Sequence, residues 1–255
     1  MSYPIDAFER VIVRLREKGF AVGGVPGWRT RDYKDRGLTP VAVIEHHTGS
    51  SRTSDQMLAI DGNGVVDGPL CNFTVYPDGK IVAIAAGYAN HAGYNNREAF
   101  AELRDLAPMG SDIDPGPSSN DSATFSGNSR SVGIEVKSSG TFTAAQHAST
   151  AALEAALVIE LGLSATRPPV GGHREITGRK IDPVHPMWER RREVAELVAA
   201  WTAPPRPTAL PVDGVMGSAT VEVYQYLEGL ARSGAWDVAT TTRLQEQLNA
   251  RLASL

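Results

Sequence analysis

Apolar positions near the start of the chain recur at helical spacing. Phe8, Val11, Ile12 and Leu15 stand at i, i+3, i+4 and i+7 within residues 6–18, and Gly19 follows. This predicts an amphipathic helix with a C-terminal stop. The period then changes. Val41, Ala42, Val43 and Ile44 form a short, continuously apolar run after a proline, the pattern of a buried central strand. Residues 72–86 divide around Pro77-Asp78-Gly79 into two β-rich halves and read as a hairpin. From Ser131 to Lys137, Val132, Ile134 and Val136 take one face, and Gly133 and Glu135 the other. Thr143 and Gln146 have capping-box spacing ahead of an Ala/Leu-rich run to Leu163, so a long helix starts there. A last helix opens at Pro186 and aligns Val194, Leu197, Val198 and Trp201. Strands and helices interleave, so the expected fold class is α/β.

Two stretches break the pattern. Residues 108–130 are rich in Gly, Ser, Asp, Asn and Pro, and a loop of that length is either functional or disordered. Residues 202–211 hold four prolines and read as a semi-rigid linker. Beyond it, Gly214–Gln225 aligns with Gly234–Gln245 at a spacing of 20 residues, with four identities in twelve positions. The expected organisation is a body over 1–201, a linker over 202–211 and a small helical module over 212–255.

Composition narrows the chemistry. The 255 residues are 42% apolar, enough for a real core, and no apolar run approaches the ~18 residues of a membrane span. No membrane insertion is expected. A net charge of −4 argues against a nucleic-acid partner. The charged first twenty residues do not look like a signal peptide. Cys71 is the single cysteine, which excludes an intrachain disulfide and a Cys-rich metal site. Any bound metal would take His and carboxylate ligands.

His46 directly follows the apolar run 41–44, where open α/β sheets place their ligands. A His46-His47 pair alone fits either a metal site or a hydrogen-bonded structural pair. Residues 172–183 add His173 and Asp182 across a polar turn, with Lys180 two positions before the carboxylate. A catalytic zinc takes three protein ligands and leaves a fourth position for water, and His46, His173 and Asp182 would make such a site. On the plainer reading, Asp182-Pro183 initiates a turn and His173 lies on the surface.

Four motifs, EHHTG (45–49), ANHAG (89–93), SVGIEV (131–136) and GHREITGRKIDP (172–183), together resemble the zinc-dependent N-acetylmuramoyl-L-alanine amidases. That superfamily includes amidase-type phage lysozymes, cell-wall-recycling amidases and peptidoglycan recognition proteins. The resemblance covers residues 24 to 200 and keeps the family order. It implies a mixed central β-sheet flanked by helices, with Zn2+ in a groove held by His46, His173 and Asp182. It further implies Glu135 as acid/base and Lys180 as the group that steadies the oxyanion. His91, Asn72 and His47 are the candidates for substrate contact, and His47 is equally open to a structural role. Where several phage relatives carry a Tyr near the zinc, this chain has Cys71, which reads as a small buried hydrophobe.

The implied partner is bacterial peptidoglycan, cut at the amide between N-acetylmuramic acid and L-alanine. The tail resembles the D-G-x-x-G-x-x-T pattern of small peptidoglycan-binding modules, the alternative being a helical appendage for dimerisation. Together with the missing signal peptide, it points to a phage or prophage endolysin. Such an enzyme is made in the host bacterial cytoplasm and reaches the wall after release. A non-catalytic peptidoglycan receptor and a cytoplasmic recycling amidase are the competing expectations.

Overall fold

A six-stranded sheet organises the body, in the order β1-β4-β3-β7-β2-β8. The computed structural model describes residues 5–203 and 217–252. The chain divides into two compact units, Met1–Thr202 and Ala203–Leu255. In the first, the strands are β1 (Val22–Gly24), β2 (Ala42–His47), β3 (Phe73–Val75), β4 (Ile81–Ala83), β7 (Ser131–Val136) and β8 (Val170–Gly172). Only β3 and β4, the two arms of the expected hairpin, pair antiparallel; the other ladders are parallel. The sheet is therefore mixed.

Alternation sorts the side chains of the central strands. Val43 of β2 and Val132, Ile134 and Val136 of β7 join the main core with α1 (Ile5–Glu17), α3 (Ala144–Glu160) and α5 (Met187–Thr202). Ala42 and Ile44 face the other way, into a second cluster with α2 (Arg97–Leu106) and α4 (His173–Ile176). The expected caps form. Thr143 Oγ1 accepts from the Gln146 amide at 3.1 Å while Gln146 Oε1 accepts from Thr143 N at 3.0 Å, closing the capping box of α3.

Two expectations need correcting. The apolar run 41–44 does not end its strand: β2 continues through Glu45, His46 and His47, because the parallel ladder with β8 runs to Glu45 and that with β7 runs on to His47. Residues 108–130 are not an unstructured loop either. They contain β6 (Asp121–Ser126), which pairs antiparallel with β5 (Tyr94–Asn96) in a separate two-stranded sheet. The polar composition of Asp121–Ser126 hides a strand that lies on the surface and is fully buried at no position.

One ion pair fastens this segment to the sheet. Arg191 of α5 and Glu175 of α4 meet at 2.9 Å, both completely buried. The second carboxylate role is equally filled, since Glu175 accepts from the amides of Gly172 (3.0 Å) and Ile113 (2.8 Å). Arg191 in turn donates to the carbonyls of Pro108, Ser111 and Val170. A buried charge with every lone pair and proton engaged fixes geometry, and α4 begins with His173.

The second unit contains α6 (Ser218–Leu227) and α7 (Val238–Leu252), whose first residues stand at the repeat spacing seen in the sequence. Buried Gln225 donates to the buried Thr240 hydroxyl at 2.7 Å, joining the two helices. Residues 204–216, with most of the expected linker over 202–211, lie outside the described residues. Among the described residues, no helix is long and apolar enough to cross a membrane.

Arg191→Met should destabilise the body by about 3–5 kcal/mol, because it strands a buried carboxylate. Arg10→Ala removes a pair with Glu160 in which the arginine side chain is 53% exposed, and should cost no more than about 1 kcal/mol. Urea unfolding of the two variants beside the parent checks the contrast.

Candidate active site

His46 and Glu135 are Cα partners across β2 and β7, and both leave the sheet on the face opposite the main core. Strand β8 pairs with β2 up to Gly172↔Glu45, so the next residue, His173, arrives beside His46. Asp182 returns from the loop after α4, anchored where its carbonyl accepts from Arg174 N at 2.8 Å. Gly172 lets that loop close, since a Cβ there would sit 2.6 Å from Pro183 Cδ.

Three donor atoms converge as a result. His46 Nδ1 lies 2.9 Å from His173 Nδ1, and Asp182 Oδ2 lies 3.3 Å from the first and 3.6 Å from the second. Tetrahedral bonds of ~2.0–2.2 Å set ligand–ligand edges of about 3.3–3.6 Å. The triangle is thus nearly one face of a zinc-sized tetrahedron.

The far sides of the two rings decide which nitrogens are bare. His173 Nε2 is 3.1 Å from the Ala92 carbonyl, which only accepts, so Nε2 carries the proton. His91 Nε2 is likewise 3.1 Å from the Ser131 carbonyl, leaving His91 Nδ1 as an acceptor. That acceptor is 3.0 Å from His46 Nε2, which therefore donates. Both Nδ1 atoms are left with lone pairs facing a carboxylate oxygen. Burial first, and then His173, hold His46 down at about 4. Three acceptors without protons meet at one point, an arrangement that calls for a cation. The donor set of two imidazoles and one carboxylate suits a divalent transition metal.

A cavity of about 240 Å3 opens over the triangle, lined by Glu135, Lys180 and His47 among others. Glu135 Oε2 is buried with no hydrogen-bond partner among the described residues. Burial, and next the charge of Asp182, push Glu135 up to about 8 against the opposing pull of Lys180. His47 Nδ1 accepts from Gly49 N at 3.3 Å, leaving Nε2 without a partner among the described residues.

Two expected substrate contacts have other tasks. Asn72 is fully buried, donates to the carbonyls of Ala85 (3.0 Å) and Gly87 (2.9 Å), and accepts from Gly133 N at 2.9 Å. Its polar atoms are engaged in holding β7, so it cannot reach a substrate. His91 lines the cavity, but its two ring nitrogens serve His46 and Ser131. It positions the His46 ring. Gly133 makes this possible, because a Cβ there would lie 2.4 Å from the His91 ring. Cys71 sits with Leu58, Leu70 and Ile84 in a small apolar cluster, and burial pushes its thiol up.

Asn128 went unnoticed in the sequence. Its Oδ1 accepts from three successive amides, His91 (3.1 Å), Ala92 (2.7 Å) and Gly93 (2.9 Å). That one oxygen places both the His91 ring and the Ala92 carbonyl. A lone Asn in a Gly/Ser-rich stretch carries no signal of such a task. Asn128→Ala should weaken binding of a divalent cation by about 10–100-fold, as loss of outer-shell support does elsewhere. Asn128→Asp keeps the acceptor and should recover much of the loss. Competition titration against a chromogenic chelator measures both.

The family model for N-acetylmuramoyl-L-alanine amidase, Amidase_2, matches residues 36–185, which include all three triangle residues and Glu135. No curated protein matches the chain. Among solved structures, the chain is similar to the N-acetylmuramoyl-L-alanine amidase LysC from Clostridium intestinale URNW. Identity is 17% and the TM-score 0.44, over 68% of this chain and 96% of that one. It is also similar to AmpDh3 from Pseudomonas aeruginosa, at 17% identity and a TM-score of 0.42, over 85% and 93% of the two chains. The amidase AmiD from E. coli, solved with an anhydro-N-acetylmuramic acid peptide, is 16% identical at a TM-score of 0.41, over 83% and 90%. With more than half of its length matched by the family model, the chain belongs to the N-acetylmuramoyl-L-alanine amidases.

Proposed function

We propose that this amidase is a zinc enzyme that hydrolyses the bond between N-acetylmuramic acid and the L-alanine of the stem peptide in bacterial peptidoglycan. The observation that carries this reading is the triangle of proton-free donors beside a carboxyl group with an unpartnered oxygen. His46, His173 and Asp182 would hold the zinc ion, which would supply Lewis acidity at the scissile carbonyl and make water more acidic. Glu135 faces the same space and is placed to take a proton from the attacking water and return it to the leaving amine. Lys180 lines the cavity as a cation and offsets negative charge developing on the carbonyl oxygen. His47 lines the same cavity.

We further propose that the enzyme acts on intact wall as a phage or prophage endolysin, with the second unit as its wall-binding module. The twin helices α6 and α7, at the spacing of the sequence repeat, support a dedicated module of this kind. A recycling enzyme acting on soluble fragments has no use for one.

Mass spectrometry of products from purified peptidoglycan tests the reaction: released peptides should begin with L-alanine, and no new reducing ends should appear. His173→Ala should lose the metal and the activity together. Glu135→Gln should keep the metal and lose about 10²–10⁴-fold in turnover.

The pKa shifts set the sign of a pH effect. His46, held at about 4, is already neutral at pH 7, whereas Glu135, raised to about 8, is protonated. A dication that neutralises Asp182 removes one cause of that rise, so loading at pH 7 should release about one proton, from Glu135. Calorimetry in buffers of different ionisation enthalpy should detect the proton, and Glu135→Gln should abolish its release without abolishing binding.

A chain ending at Thr202 should cleave soluble muropeptides at nearly the full rate but clear insoluble wall more slowly, having lost the tether. Turbidity assays beside muropeptide assays make the comparison.

A further inference from the structure

A recess larger than the one over the donor triangle lies elsewhere on the body. At the amino ends of β2 and β7 lies a cavity of about 670 Å3, lined by Arg29, Arg31, Arg36 and Arg130 with Asp32 as its one carboxylate. A second recess of about 490 Å3 shares Ser129 and Arg130 with it and adds Arg97 and Arg104. Together they form one groove. Val41, on its wall, directly precedes β2 and is five residues from His46, so at ~3.3 Å per residue the two positions stand about 17 Å apart. The groove is a different site.

Such a concentration of guanidinium groups is out of proportion in a chain of net charge −4. Some of it is structural. Arg29 pairs with Glu9, Arg104 pairs with Asp105, and Arg31 is anchored by the carbonyls of Pro26 and Ile84. Asp32 is engaged by the amides of Arg36 (3.0 Å) and Gly37 (3.1 Å). Arg36, Arg97 and Arg130 are different: among the described residues, none has a carboxylate partner. Each is held on an aromatic ring instead. Arg36 lies 5.6 Å from the rings of Tyr33 and Tyr88, while Arg97 and Arg130 lie 5.6 and 5.5 Å from the same Phe125 ring. A ring orients a guanidinium and leaves its edge donors free, but it neutralises no charge. Two cations sharing one ring, with a third along the groove, form a prepared site for repeated negative charge.

We propose that this groove binds a linear phosphodiester polymer with hydroxylated spacer units, a polyol phosphate of the bacterial wall. Guanidinium forks match phosphate oxygens in pairs. The charges are spread over two joined recesses, which a single anion cannot span, and the hydroxyls of Thr39 and Ser129 on the lining suit a polyol. Single-stranded nucleic acid fits poorly, because Tyr33, Tyr88 and Phe125 are covered by arginines and offer no open platform for bases. The choice of a wall polymer rests on the proposed action on peptidoglycan.

Fluorescence anisotropy of a labelled glycerol-phosphate oligomer, titrated with the full chain at low and high salt, tests the groove. Binding should weaken steeply with salt. Arg97→Gln combined with Arg130→Gln should lower affinity on the order of 10-fold or more, with muropeptide hydrolysis unchanged. Arg10→Gln, on another face, should bind as the parent does. No binding by the parent, equal binding by the double variant, or tighter binding of an oligonucleotide or of anionic vesicles would overturn the proposal. If muropeptide hydrolysis is intact in that case, the amidase reading stands. Oligomer binding by a chain that hydrolyses no muropeptide would instead overturn the peptidoglycan reading, and the wall assignment with it.

Discussion

The site depends on one constraint, that a carbonyl oxygen can only accept a hydrogen bond. The Ser131 and Ala92 carbonyls each claim a ring proton, and every other proton position follows from those two claims. His91 must then accept from His46, and both Nδ1 atoms must turn bare lone pairs toward Asp182. Metal ligands are commonly oriented by such partners. Here both chains of partners end on backbone carbonyls, for His173 directly and for His46 through the His91 ring.

The rest of the body keeps those atoms in place. Gly133 leaves room for the His91 ring, and Asn128 holds the turn that carries both His91 and Ala92. On the other side, the buried Arg191–Glu175 pair seats α4 and with it His173. Behind His46, Glu45 points to the opposite face of β2 and stays ionised at about 2, since Arg190 and His185 outweigh the cost of its burial. Glu154 beside it is pushed well above the ordinary carboxyl range by burial and by Glu45. Arg190 thus lies between Glu45, at 3.3 Å, and Glu193, at 2.8 Å, and the strand that carries His46 rests on a compensated base.

Much of this was legible in the sequence, and the reasons differ by element. The helix over 6–18, the hairpin around Pro77-Asp78-Gly79 and the capping box at Thr143 are local, set by residues within a few positions of one another. The convergence of His46, His173 and Asp182 is not local. The residue types of the His-His pair and of the polar turn offered it as one of two readings, and motif resemblance decided between them. What escaped reading depends on tertiary partners. The strand Asp121–Ser126 looks like loop because its partner lies far back at Tyr94–Asn96. Asn72 and His91 look like substrate contacts until the carbonyls and amides that occupy them are known. The arginines of the second groove are scattered from Arg29 to Arg130, and only the fold gathers them.

The central claim is that two imidazole Nδ1 atoms and one carboxylate oxygen present a ready-made zinc face. X-ray absorption at the zinc edge of the loaded full chain tests it most directly. Two imidazole nitrogens and one or two oxygens at ~2.0–2.2 Å, in a four-coordinate shell, are expected. A sulfur scatterer at ~2.3 Å, which would have to be Cys71, or a shell of oxygens without imidazole, would contradict the account.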